Sequence, residues 1–266
     1  MKKFQNKLLI GVISAITLLS SVTSVGANTI VDNVAKSNLE EERLTKLLKE
    51  DANQFLLNIG MKQEEIDKID PDIREFIVQD LKQNIKSSDL EFVETKKVLL
   101  NEIESRENLT GIDFYVSSFK SGDIIYIYPT YEFTTPKRPR GSDGFAVQLG
   151  DAINAFEYGG KVWNKVNDND SWTSESYHNM VASTNLYGAE YKGTQLGTPD
   201  FDIYIKGCAY IHARAGSGSD KRINMAYVHN PNRSNFSFSI SAWGIGISYS
   251  PSNNIYDKTG LFTLDY

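Results

Sequence analysis

A single cysteine, Cys208, is all the thiol chemistry this chain has, so no internal disulfide can hold it together. Three histidines, His178, His212 and His229, fall at spacings that match no zinc signature, and no Gly-x-Ser-x-Gly elbow supplies a serine nucleophile. No cofactor and no metal is expected on these grounds, and an enzyme is the less favoured class. Long apolar runs are equally scarce. The one clear run, residues 8–19, follows Lys2, Lys3 and Lys7 and precedes Val25-Gly26-Ala27, the layout of an export signal cut after Ala27. It is too short for an ordinary membrane-spanning helix and no second run follows. Residues 1–27 are therefore expected to be a signal peptide, and the mature chain a secreted, extracellular protein with neither lipid nor wall anchor. Without the three signal lysines the formal net charge goes from −6 to −9, which argues against nucleic acid as a partner of the whole molecule. Signal style and Lys/Asn/Ile-rich usage suggest a Gram-positive bacterium.

Glycine and aromatic residues are missing from one half only. Residues 28–110 hold one glycine, one proline, no tyrosine and no tryptophan, with 19 acidic against 12 basic residues. Sixteen of the nineteen glycines, every tyrosine and tryptophan and all three histidines follow from Gly111 onward. This contrast divides the chain into an acidic helical region, 28–110, and an aromatic-rich β domain, 111–266. In the helical region Leu44, Leu47, Leu48, Phe55, Leu56 and Ile59 recur at helical spacing, predicting a helix over about 39–59 with Gly60 at its end. Asp70-Pro71 offers an N-cap with proline in the first turn, opening a second helix with Ile73, Phe76, Ile77, Leu81 and Ile85 on one face. Ser88 and Glu91 read as a capping box for a third helix carrying Phe92, Leu99 and Ile103.

The second half reads as short strands: 114–119, 124–128, 201–205, 209–214 and 223–228. Gly216-Ser217-Gly218-Ser219-Asp220 suggests a hairpin joining the last two. The fold class is accordingly α+β, an N-terminal acidic helical segment followed by an antiparallel β-sandwich-like domain. The most regular stretch is 235–250, where Phe236, Phe238, Ile240 and Ala242 alternate with serines. After a phase change at Trp243, the alternation resumes with Ile245, Ile247 and Tyr249. Such a shift reads as a β-bulge within one strand. The uncharged alternation suits a half-buried sandwich strand and also a membrane-inserting strand. Alternation being the norm in antiparallel sheets, Phe238, Ile240 and Trp243 are expected in a protein core.

Lys137-Arg138-Pro139-Arg140-Gly141 is the one basic cluster of the mature chain, suited to phosphate groups of wall polymers or anionic lipid, or to a solvated loop. Asn167, Asp168, Asn169, Asp170, Ser171 and Glu175 offer oxygens for calcium, but Thr173 stands where an EF-hand loop needs glycine, so an Asx-rich turn is the better reading. Cys208 and His212, four apart on one strand, lie about 13 Å from one another, too far for a catalytic pair.

A string of local sequences nonetheless carries a family likeness: 133–141 (Phe-Thr-Thr-Pro-Lys-Arg-Pro-Arg-Gly), Glu157-Tyr158-Gly159-Gly160, 195–200 (Gln-Leu-Gly-Thr-Pro-Asp), Lys206-Gly207-Cys208, and 216–222 (Gly-Ser-Gly-Ser-Asp-Lys-Arg). Together with the signal and the acidic helical part, they resemble the large, non-lantibiotic geobacillin family, secreted proteins of Bacillus relatives that include a high-molecular-weight bacteriocin. The resemblance implies a secreted antibacterial protein and brings no catalytic residue and no mechanism. The leading expectation is thus a bacteriocin-like protein acting on the envelope of related bacteria, wall polymer or membrane, with an immunity protein as a further partner. Lys137, Arg138 and Arg140 are the candidates for anionic polymers, and Phe236, Phe238 and Trp243 for apolar contact. The alternatives are a non-toxic extracellular β-sandwich module binding wall glycan or protein, and a secreted hydrolase with a dispersed site.

Overall fold

The computed structural model describes residues 43, 46–47, 50–85, 89–100, 109–137, 143–174, 180, 182–192, 202–229, 235–250 and 256–265. The expected signal, 1–27, lies outside them. Arg43, Lys46 and Leu47 are helical, but the chain bends at Glu50. Asp51 then accepts from the Gln54 amide and starts a new helix, α1 (Ala52–Asn58), so the expected single helix over 39–59 is interrupted. A short α2 (Gln63–Ile66) follows, then α3 (Pro71–Asn84). The expected cap of α3 is present: the Asp70 carboxylate accepts from the Asp72 and Ile73 amides ahead of Pro71. Its Ile73, Ile77 and Leu81 are buried on one face.

The third helix is not formed. Glu91–Lys97 is strand β1 and Leu99–Leu100 is β2, while Ser88 and Ile103 lie outside the described residues. Apolar positions 92, 93 and 98–100 never repeat every three to four residues over two turns, so no helical stripe competes with an open sheet edge. The remaining strands are β3 (Ile112–Ser121), β4 (Ile124–Phe133), β5 (Gly144–Leu149), β6 (Ile153–Lys165), β7 (Ala182–Asn185), β8 (Gly188–Lys192), β9 (Tyr204–Ala215), β10 (Arg222–His229), β11 (Asn235–Ser241), β12 (Gly244–Ser250) and β13 (Tyr256–Thr263).

Two antiparallel sheets form the sandwich. The first has the order β1-β3-β4-β9-β6 and the second β2-β13-β10-β5-β8-β7; among the described residues β11 and β12 pair only with each other. The two strands expected over 201–205 and 209–214 are one, β9, which starts at Tyr204 and runs through Gly207; Phe201 lies outside the described residues. The predicted hairpin across 216–220 is a crossover between sheets, since β9 pairs with β4 and β6 whereas β10 pairs with β5 and β13. That connection is pinned: Gly216 and Asp220 exchange backbone hydrogen bonds with Ala152, and the Asp220 amide donates to Asp151. Loops of four or five residues also close hairpins, so the glycine–serine composition alone could not separate a hairpin from a crossover.

Alternation distributes side chains to three layers. Phe114, Val116, Ile127, Ile205, Ile211, Phe145, Val147, Met225 and Tyr227 meet between the sheets. Odd-for-even partners on the first sheet, Phe119, Tyr126, Tyr128, Trp163 and Cys208, face the other way and pack against Phe55, Leu56, Ile73, Ile77 and Leu81 of the helices. The helical layer thus covers the outer face of the first sheet.

Candidate functional site

The outer face of the second sheet is covered differently. Since Phe145, Val147, Met225 and Tyr227 point inward, register turns Gly144, Ala146, Gln148, Ala226 and Val228 outward, a strip of mostly small residues. On this strip lies the β11–β12 hairpin. The phase change at Trp243 is therefore a turn, not a bulge: Ala242 and Trp243 reverse the chain, with Gly244 at φ +144° after them. A two-residue turn and a one-residue bulge shift the alternation alike, so the pattern alone could not separate them.

Pairing puts like with like. Phe236 faces Tyr249, Phe238 faces Ile247 and Ile240 faces Ile245, whereas Ser237 faces Ser248 and Ser239 faces Gly246. One face of the ribbon is apolar and the other is serine and glycine. No charged residue occurs from Asn235 to Ser250, and Arg233 is the one charge in 230–255. The Phe236 and Phe238 rings meet edge to face, centroids 5.4 Å apart, over Gly144, where a Cβ would come within 2.7 Å of both. Further along, the Asn185 side chain donates to the Ile240 carbonyl at 3.1 Å.

The expected core placement is corrected here. Phe236, Phe238, Ile240, Ile245 and Ile247 are only half-buried and belong to neither hydrophobic core. Trp243 is 93% exposed at the tip. The strand alternates because its inner face rests on a finished sheet, not because that face completes the sandwich.

The other sequence candidates scatter. Lys137 is half-buried and its backbone bridges Ile203; Arg138 and Arg140 lie outside the described residues. Lys137 follows the C-terminal end of β4. The hairpin tip lies at the opposite end of the sandwich, with Asn185, Leu149 and the pinned crossover. Lys137 and Trp243 therefore do not form one site. In the acidic turn the Asp170 carboxylate accepts from the Asn167 amide and side chain, and Lys165 donates to Asp168, which is the Asx-turn reading; Glu175 lies outside the described residues. Among the described residues no group of three His, Cys, Asp or Glu is placed to hold a metal ion. Cys208 is buried and its thiol is pushed up to about 12, chiefly by burial, leaving it protonated and unreactive.

Two buried polar clusters escaped the sequence reading, because each joins residues over 130 positions apart. On β9, the Lys206 ammonium is fully buried, bonds Asp70 and, at 2.8 Å, Asp72, and sits 4.1 Å from the Trp172 ring centre. Three positions short of the strand end, His212 has Nε2 2.8 Å from Asp80 of α3 and Nδ1 3.0 Å from Glu157 of β6. The Tyr128 hydroxyl donates to the same Asp80 oxygen at 2.7 Å, and the rings of Tyr126 and Tyr210 flank the imidazole. The available signal was Asp80 on the apolar side of α3, beside Ile77 and Leu81. With both ring nitrogens engaged by carboxylates, His212 has no free atom for substrate; it bolts helix to sheet. His178 lies outside the described residues, and His229 Nδ1 is 3.0 Å from the buried Asp143 carboxylate.

Burial disfavours the His212 cation, but Asp80 and Glu157 outweigh it and hold the group above its ordinary 6.5. A folded value raised above the unfolded one adds stability that is complete below about 6.5 and lost as pH climbs through the folded value. Thermal melts should accordingly show stability falling as pH rises from about 6.5 through the raised folded value, and His212→Gln should remove that slope.

No known protein-family model matches the chain, and no curated protein does. Solved structures give loose likenesses. A pore forming protein is 8% identical with a TM-score of 0.35, covering 67% of this chain and 94% of that one. A Streptococcus parasanguinis Fap1 fimbrial structure is 12% identical with a TM-score of 0.30, over 64% and 89%. The N-terminal domain of the Streptococcus gordonii adhesin Sgo0707 is 11% identical with a TM-score of 0.29, over 55% of this chain and 29% of that one. Likenesses this loose carry no inference about function.

Proposed function

We propose that the protein is a secreted antibacterial protein of the geobacillin-like type that acts on the membrane of target cells by unstowing its β11–β12 hairpin into the bilayer. The observation that carries this reading is a charge-free ribbon, apolar on one face and serine-lined on the other, lying half-buried outside both cores. In a bilayer the apolar face turns to lipid and the serines to water. The described strands, Asn235–Ser241 and Gly244–Ser250, give seven positions each, against the roughly 9–11 that a tilted spanning strand needs, so insertion would have to draw in residues on either side of the hairpin. A lone hairpin leaves two unpaired edges, which hydrocarbon does not tolerate, so copies must pair side by side into a closed barrel. No helix of the described residues is long and apolar enough to cross a membrane.

Purified mature protein tests this directly on a lawn of related Gram-positive strains and on dye-loaded vesicles: killing and leakage together support it, and killing without leakage refutes the insertion step. The basic loop, which Lys137 opens at the other end of the sandwich, is assigned to anionic wall polymers. Arg138→Glu with Arg140→Glu should weaken binding to whole cells at low salt, where cation–phosphate attraction reaches roughly 10 Å or more, and leave vesicle leakage unchanged.

A further inference from the structure

A second apolar tip sits beside the hairpin's own. The β7–β8 turn consists of Leu186, 87% exposed, and Tyr187, 38% exposed. The residue before it, Asn185, bonds the Ile240 carbonyl of β11 at 3.1 Å, and the Tyr187 carbonyl accepts from the Leu149 amide at 2.8 Å. Because Phe236 and Phe238 sit on Gly144 while Ile240 is tied to Asn185, β11 runs alongside β5 toward its Leu149 end. Both turns therefore project from one end of the second sheet, carrying Leu186, Tyr187 and Trp243.

We infer that these two tips form a docking surface for the interfacial region of a phospholipid bilayer, with Leu186 and Tyr187 acting as an anchor that does not itself insert as a strand. This rests on the membrane reading above and adds to it the surface that first meets lipid. Three features favour lipid as the occupant. Neither tip carries a charge, from Ala182 to Ala189 or from Asn235 to Ser250, so no ion has to be desolvated on entry. Tyr187 and Trp243 combine an apolar ring with one polar handle, the chemistry enriched where headgroups meet acyl chains. The tips are convex: a bilayer accepts protruding side chains, whereas a small ligand needs a concave site.

The Lys221, Arg222, Asp151 and Asp220 charges at the same end are mixed in sign, and Arg222 is paired with Asp220 at 2.7 Å, so attraction is carried by the apolar side chains and not by net charge. Binding should then survive high salt and need no anionic lipid. In an oriented docking of this kind the stowed hairpin already points its turn at the membrane.

Sedimentation with vesicles of phosphatidylcholine alone, and of phosphatidylcholine with phosphatidylglycerol, tests the surface. Wild type is expected to bind both at low and high salt. Leu186→Ser and Trp243→Ser are each expected to lower partitioning about tenfold to a hundredfold, the worth of one buried large apolar side chain. Far-UV circular dichroism should stay unchanged, since both side chains are exposed, and brominated lipid should quench wild-type tryptophan emission more than that of Trp243→Ser. Unaltered binding by Leu186→Ser while wild type leaks vesicles overturns the anchor and leaves hairpin insertion standing. Binding that depends on Leu186 and Trp243 without any leakage upholds the anchor and refutes insertion. Self-association without lipid, abolished by Leu186→Ser, makes the tips a contact between copies and overturns the lipid assignment.

Discussion

Ile240→Asp is expected to give a folded, soluble protein that no longer releases dye from vesicles or kills cells. The side chain is half-buried on the hairpin's apolar face, faces Ile245 and contributes to neither hydrophobic core. Losing its contact with the sheet costs roughly 1 kcal/mol, small against the roughly 5–15 kcal/mol that holds a domain together. The Asn185 bond reaches the Ile240 backbone and survives the change. In the bilayer the same aspartate faces acyl chains, at a cost on the order of 2 kcal/mol on a barrel's lipid face, incurred by every copy. The contrast that isolates the mechanism is Ser239→Asp. Its position opposes Gly246 on the serine face, which would line water in the inserted state, so leakage should persist. Circular dichroism and dye release on the two variants decide the matter: unfolding of Ile240→Asp would place the hairpin within the cooperative core, and equal loss in both variants would deny the ribbon a lipid face and a water face.

How legible the molecule was depended on how local each cause is. The α3 cap was readable because Asp70, Pro71 and the stripe of Ile73, Ile77 and Leu81 act within a few residues of one another. Strand alternation in β3, β4 and β10 was readable for the same reason. Failures came where two local patterns coincide or where the partner is remote. Ser88 and Glu91 imitate a helix start, but the segment that follows finds an edge of β3 to pair with. The shift at Trp243 fits bulge and turn alike, and no Asn-Gly or Asp-Gly marks the reversal. Exposure of Trp243 and its placement at the same end of the sheet as Leu186 depend on how β11 is laid on β5 and β8, which no run of sequence encodes. The candidate ribbon was visible as an alternating, charge-free stretch; its position outside the core was not.

Lys206→Glu is expected to be the most destabilising single charge change in the molecule. Its side chain is fully buried where α3 meets β9, with Asp70 and Asp72 as ionic partners and the Trp172 ring as a lid. Asp70 also caps α3, so one carboxylate both starts the helix and fastens it to the sheet. A glutamate at 206 would add a carboxylate beside Asp70, Asp72 and the cross-strand Glu132 while taking away their buried cation, and removal of a buried partner costs about 3–5 kcal/mol. Lys206→Met separates charge from packing. It keeps most of the side-chain length beneath Trp172, while Asp70 and Asp72, 14% and 41% exposed, can turn to water, so the loss should be distinctly smaller. Urea unfolding of the two variants measures the difference. If Lys206→Glu unfolds at the wild-type midpoint, the helices are held by their apolar face against Tyr126, Tyr128 and Trp163 alone, and the lysine only fills space. If it unfolds far earlier while Lys206→Met does not, the clasp fixes how the helical layer sits on the sheet, and release of the hairpin from the other face can proceed without loosening it.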